Sequence, residues 1–196
     1  MGKLNGTKTA ENLMKSFAGE SQARNRYTFY SVVAKQEGYE EIAKVFEETA
    51  DQERAHANVF YKFLAADLNG EKVVIDADYP VELHKDTLSN LKAAVAGEHE
   101  ETEVLYPEFA KVADTEGFAK VAEAYRAIGK IEKMHEERYK RFHASVEQGD
   151  VYKKGADTFW ICQNCGYIVE GAEPPKICPV CYYSQAYFKV YTDTFK

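Results

Sequence analysis

Two glutamate–histidine pairs at one spacing, Glu53-x-x-His56 and Glu132-x-x-His135, and two tight cysteine pairs, Cys162/Cys165 and Cys178/Cys181, carry the chemistry that this 196-residue chain can do. Residues three apart on a helix share a face, so each Glu-x-x-His pair offers an oxygen and a nitrogen donor to one point. Carboxylates mixed with one imidazole per ion suit iron or manganese better than a thiolate-seeking metal. The cysteines form C-x2-C-x12-C-x2-C, two knuckles that supply four thiolates to a tetrahedral ion. By spacing alone zinc has the better claim to them, because a unit this small needs a metal to fold. Their confinement to one segment of an otherwise thiol-free chain favours metal binding over disulfides.

A lone Glu-x-x-His in a glutamate-rich helix ordinarily decorates a solvated face. These two interrupt apolar stripes instead. Glu132 and His135 fill the gap in Phe118, Val121, Tyr125, Ile128, Tyr139, Phe142 and Val146. Glu53 and His56 do the same among Ile42, Val45, Thr49, Phe60 and Phe63. Glu98 and Glu101 sit in the gap of a third stripe, Leu88, Leu91, Val95, Leu105, Phe109 and Val112, and Glu20 shares a face with Leu13, Phe17 and Tyr27. Glu100, Glu103, His84, His99 and His143 point off the stripes and are expected in solvent.

The elements that must hold these residues follow from composition and punctuation. Up to Gln148 the chain is rich in Ala, Glu, Lys and Leu, with only Pro80 and Pro107 before the last 25 residues. The periodicity predicts helices over about 7–37, 39–66, 81–113 and 116–148, with a kink at Pro107. Breaks at Gly38 and near 115–117 are so short that each flanking pair must be an antiparallel hairpin. The segment 67–80 is long enough, at roughly 45 Å extended, to run the length of a helix of about 28 residues. A four-helix bundle with one long crossover results. Glu20 lies 18 residues before Gly38 and Glu53 lies 15 after it, whereas Glu98 and Glu132 each lie 17 from Thr115. All four glutamates therefore meet at one level, with spacings of 33 and 34 that suggest two hairpins related by an approximate two-fold axis. The chain divides into residues 1–150, the bundle, and 151–196, a small β and metal-knuckle unit.

Five carboxylates and two imidazoles converging in an apolar interior need compensating cations, and two divalent ions would supply them. One Glu from each of two helices and a Glu-x-x-His from each of the others is the ligand set of ferritin-like dimetal carboxylate bundles. With 32 acidic against 25 basic residues the net charge is -7, which argues against a nucleic-acid partner. No apolar run reaches the roughly 18–20 residues of a membrane span, and MGKLNGTKTAEN lacks the apolar stretch of a signal peptide, so a cytoplasmic protein is expected.

Taken together, Glu20, DQERAH, GEHEE, EKMH, WICQNCGY and ICPVC resemble the rubrerythrin family over nearly the whole chain. The resemblance implies a mainly α fold, a ferritin-like four-helix bundle carrying two Fe ions, with a C-terminal rubredoxin-like unit holding one Fe ion on four cysteines. It shifts the expectation for the cysteine-bound metal from zinc to iron. It implies Glu53 and Glu132 as bridging carboxylates, Glu20 on one iron and Glu98 with His135 on the other. Glu101 and His56 match alternative ligands used by one iron in its two oxidation states, and Tyr27 and Tyr106 match tyrosines beside the site. The implied activity is reduction of hydrogen peroxide to water in oxidative-stress defence, with electrons from a rubredoxin or an NAD(P)H-dependent reductase. One position departs from the pattern: Cys165 is followed by Gly166, but Cys181 by Tyr182, a bulky residue where the knuckle turn favours glycine. Helix length also predicts a head-to-tail homodimer, because about 13 residues separate His135 from the helix end, roughly 20 Å from the metals before the cysteine unit begins. A ferroxidase or iron-storage protein would use the same bundle but leave the cysteines without a task. A non-enzymatic zinc-ribbon adaptor would leave the buried ligands unexplained.

Overall fold

The computed structural model describes residues 3–68 and 70–192. Helices α1 (Lys8–Gln36) and α2 (Glu40–Leu68) form one hairpin. Helix α3 (Thr87–Glu100), a π-turn (Glu101–Leu105) and α4 (Tyr106–Thr115) form a continuous rod that pairs with α5 (Ala119–Glu147). The hairpin turns are built alike. Gly38 and Gly117 adopt φ of 81° and 84°, and the next residue closes each turn, Tyr39 N–H on Ala34 O and Phe118 N–H on Ala113 O. That left-handed step is open to glycine without the steric cost a Cβ brings.

The helices form where their apolar period directs, with two departures. The third starts at Thr87, not 81. Asp86 caps it by accepting from Ser89 N–H, and Asn90 pairs through its side chain with both backbone groups of His84. Val81 and Leu83, which extend the apolar period in sequence, are exposed in an extended strap. At Pro107 there is no simple kink. The preceding turn widens instead, with Tyr106 N–H bonding Glu101 O across five residues, which accommodates a proline that lacks an N–H and crowds the carbonyl four residues back. This inserted residue accounts for the 33-versus-34 spacing: Glu53 and Glu132 both follow their turn glycines by 15 residues, but Glu20 precedes Gly38 by 18 and Glu98 precedes Gly117 by 19.

Two apolar layers fill the bundle, one around Leu13, Phe60, Leu64, Phe109 and Tyr125, the other around Tyr30, Ile42, Phe46, Leu91 and Tyr139. The acidic residues lie between them. Beyond α5, strands β1 (Phe159–Cys162), β2 (Ile168–Glu170) and β3 (Phe188–Val190) make an antiparallel sheet in the order β2-β1-β3. Trp160 pairs with Val169 on one side and Val190 on the other, and its ring is fully buried beside Cys162, Cys178 and Phe188. This module rests on the α1/α2 turn, where the Tyr152 hydroxyl donates to Gly38 O at 2.6 Å. Among the described residues no helix is long and apolar enough to cross a membrane.

Candidate metal centres

Helices α1, α2, α3 and α5 each aim a buried glutamate at one level, and α2 and α5 add a histidine one turn on. The result is two groups of converging ligand atoms, Glu20, Glu53, His56 and Glu132 in one and Glu53, Glu98, Glu132 and His135 in the other. Glu53 and Glu132 belong to both, through different oxygens. His56 Nδ1 lies 2.9 Å from Glu53 Oε2 and from Glu132 Oε1, whereas His135 Nδ1 lies 3.2 Å from Glu53 Oε1 and 2.9 Å from Glu132 Oε2. Glu20 Oε2 stands 4.0 Å from His56 Nδ1, and Glu98 Oε2 3.5 Å from His135 Nδ1. An ion held at about 2.1 Å puts neighbouring ligand atoms about 3 Å apart, which is the scale seen.

The residues fit a pair of ions on independent grounds. Glu20 Oε2, Glu53 Oε1, Glu98 Oε2, both Glu132 oxygens and His135 Nδ1 are buried without a hydrogen-bond partner among the described residues. Orphaned atoms of this kind cost several kcal/mol unless a cation satisfies them. Four carboxylates are also neutralised by two divalent ions. Without metal, protons take up part of that role. Burial pushes the Glu20 carboxyl well up and Glu98 to about 8, with neighbouring carboxylates adding to both. Burial pulls the imidazoles down, but the carboxylates around them win, raising His56 to about 9 and His135 to about 12. For Glu53 burial is likewise outweighed, here by His135 and His56, which hold it down to about 2.

The surrounding groups set these ligands in place. Tyr27 donates its hydroxyl to Glu98 Oε1, and Tyr106 donates to Glu20 Oε1, so each tyrosine crosses to the opposite hairpin. Tyr27 follows Glu20 by seven residues and Tyr106 follows Glu98 by eight; the π-turn supplies the difference. His135 Nε2–H donates to Gln52 Oε1 at 2.8 Å, which leaves Nδ1 for a metal. Sequence reasoning missed Gln52, although its place beside Glu53 was a usable signal. Glu101 stands outside both groups. It lines a cavity of about 320 Å³ on the α1/α3 side, together with Arg26, Gly97 and Tyr106, and burial together with the charges of Glu98 and Glu132 pushes its carboxyl well up. Glu136, also missed, is buried beneath Lys133 and Lys140, which pair with it, and the exposed His99 ring lies at hydrogen-bond distance from it through Nδ1.

The four sulfurs converge separately, all within 4.8 Å of one another, with Cys162–Cys181 and Cys165–Cys178 each at 3.7 Å and no disulfide. A tetrahedron with metal–sulfur bonds of about 2.3 Å has edges of about 3.8 Å. The knuckles repeat one geometry. Gly166 N–H bonds Cys162 O and Tyr182 N–H bonds Cys178 O, while Cys162 N–H and Cys178 N–H return to Tyr167 O and Tyr183 O. Tyr182 takes the left-handed turn at φ 63°, the single described non-glycine residue to do so. The Tyr183 N–H holds the Cys181 thiol down to about 6. Cys165, despite the Tyr167 N–H, is pushed up to about 12 by burial and the other three sulfurs. Four thiolates this close need a cation to ionise together.

The family model described as rubrerythrin matches residues 11–143, and that described as rubrerythrin, rubredoxin-like domain, matches residues 160–189. The rubrerythrin of Clostridium perfringens is 56% identical over 195 residues, with all of both chains covered. That of Nitratidesulfovibrio vulgaris is 41% identical, with 97% of each chain covered. Among solved structures, nigerythrin in its fully reduced, all-ferrous state superposes with a TM-score of 0.63 at 30% identity, covering 96% of this chain and 92% of the other.

Proposed function

Because the chain belongs to the rubrerythrin family, we propose that it is a peroxidase that reduces hydrogen peroxide to water at a di-iron site in the bundle, with electrons relayed through iron on the four cysteines. The observation that carries this reading is the coexistence of two ligand groups sharing Glu53 and Glu132 with a four-sulfur site in one chain. The all-ferrous state named for nigerythrin supports iron in both. Division near residue 150 assigns one centre to each unit.

Bound iron would supply the electrons that cleave the O–O bond, two per peroxide, and the cysteine-held iron would return them singly from a rubredoxin or NAD(P)H-dependent reductase. The chain's residues do the rest. Glu53 and Glu132, which belong to both ligand groups, would be shared by the two ions, with Glu20 and His56 holding one and Glu98 and His135 the other. Gln52 keeps the His135 ring turned so that Nδ1 faces inward. Tyr27 and Tyr106 hold protons on the distal sides of Glu98 and Glu20, where they steady each carboxylate and can replace protons that peroxide reduction consumes. Glu101, on the cavity side, would serve as the alternative to His56 in holding one ion. The separation of the centres within one chain favours a head-to-tail homodimer.

The test is anaerobic reoxidation of the reduced iron protein by hydrogen peroxide, followed through the visible absorption of the Fe(Cys)4 centre. Rapid return of colour with stoichiometric peroxide loss is expected. A centre that stays reduced while peroxide persists would overturn the reading; a mineral-filled shell would point to iron storage, and one zinc without iron to an adaptor. Glu101→Ala is expected to cut turnover at least tenfold while leaving thermal unfolding nearly unchanged, and equal peroxide turnover in the variant would remove Glu101 from the mechanism.

A further inference from the structure

Two cationic side chains, Lys15 and Arg26, line the cavity beside Glu101, and neither belongs to the converging metal ligands. Arg26, on α1, lines it together with the strap Asp76–Pro80. Its Nε and Nη1 are buried and have no hydrogen-bond partner among the described residues, and it makes no ion pair there. Its guanidinium carbon lies 5.9 Å from the centre of the Tyr27 ring. A β-carbon at Gly97 would meet Arg26 Nη2 at 3.7 Å, an ordinary contact that places the head group beside α3. The strap is pinned over the cavity by the Tyr79 hydroxyl, which donates to Lys15 O at 2.9 Å.

The Nε and Nη1 groups of this guanidinium are buried N–H donors left without an acceptor, and a guanidinium cannot accept in return. Glu101, which lines the same cavity, offers a carboxyl group. A small molecule that can both accept from Arg26 and donate to Glu101 would satisfy the two together. Hydrogen peroxide has two O–H donors and lone pairs on both oxygens. Dioxygen has no donor and is a poor acceptor. Resting on the peroxidase reading above, we propose that Arg26 is a specificity-determining residue that binds hydrogen peroxide in this cavity and favours it over dioxygen on the way to the metal site.

The experiment compares Arg26→Gln and Arg26→Lys with the unaltered full-length iron protein, after iron content and helicity have been matched. Reduced protein is mixed with hydrogen peroxide or, separately, with dioxygen. We expect Arg26→Gln to raise the peroxide KM at least tenfold, Arg26→Lys to raise it less, and reoxidation by dioxygen to change by under twofold in both. A peroxide KM unchanged in Arg26→Gln would overturn the assignment, as would an equal fall with both oxidants, the mark of a structural role. A second readout needs no turnover: in full-length protein loaded with zinc, the Arg26 Nε–H nuclear magnetic resonance should shift on titration with hydrogen peroxide, and a resonance that stays fixed overturns the proposal. Failure of the unaltered protein to consume peroxide overturns the parent reading instead, so the two failures are distinct.

Discussion

Residue chemistry explains why these side chains tolerate one another. In the metal-free protein the raised groups, His56 at about 9, His135 at about 12, Glu98 at about 8 and Glu20 well up, hold protons that the unfolded chain would release earlier. A folded-state pKa above the unfolded one gives stability that is full below the unfolded value and lost as pH climbs through the folded one. Glu53, held down to about 2, works oppositely and matters only in acid. The metal-free bundle should therefore lose stability between about pH 7 and 9, while the loaded protein, whose cations replace those protons, should not. Thermal melts of both forms across that range check it, and parallel curves would refute it. Gln52 adds a sharper case. Gln52→Leu removes the acceptor that fixes His135 and should weaken metal binding about 10- to 100-fold with little change in helicity, as chelator competition would read.

At the scale of elements, the helices and the ligand level were legible in the sequence, because Glu53, His56, Glu132 and His135 break stripes whose period is otherwise unambiguous. Other features left weaker marks. Val81 and Leu83 continue an apolar period without being buried, since the crossover strap needs no helix; the cap at Asp86 was the contrary signal. The π-turn showed itself only as one extra residue in the spacing of the second hairpin. Arg26 and Gln52 lie off the stripes, where a sequence pattern cannot tell a solvated side chain from one turned inward by its neighbours. The knuckles show the reverse case, a departure visible in sequence with a definite structural result. Tyr182 occupies the left-handed turn that Gly166 fills in the other knuckle. That conformation costs a non-glycine residue about 1 kcal/mol or more. Tyr182→Gly should stabilise the loaded cysteine module by about 1 kcal/mol, read as a higher denaturant midpoint for loss of the Fe(Cys)4 absorption, and a lower midpoint would show that the Tyr182 ring contributes more than its backbone strain costs.

Assembly decides whether the two centres can work together. The Tyr152 hydroxyl ties the cysteine module to the Gly38 turn, and Glu20 lies 18 residues back along α1 from that glycine, roughly 27 Å of helix. Electrons crossing that span within one chain would move slowly, whereas in the proposed head-to-tail dimer the partner would bring its own module to the other end of the bundle. Complementation separates the two routes. One variant carries Cys162→Ser and Cys178→Ser, which removes the relay; the other carries Glu53→Ala and His135→Ala, which removes the bundle site. Each alone should be inactive with peroxide. When the two are unfolded and refolded together, half of the dimers pair one of each, and every mixed dimer has a single working relay facing a single working bundle, so about a quarter of the unaltered activity should return. A strictly intrachain route predicts none, because no single chain in the mixture carries both centres.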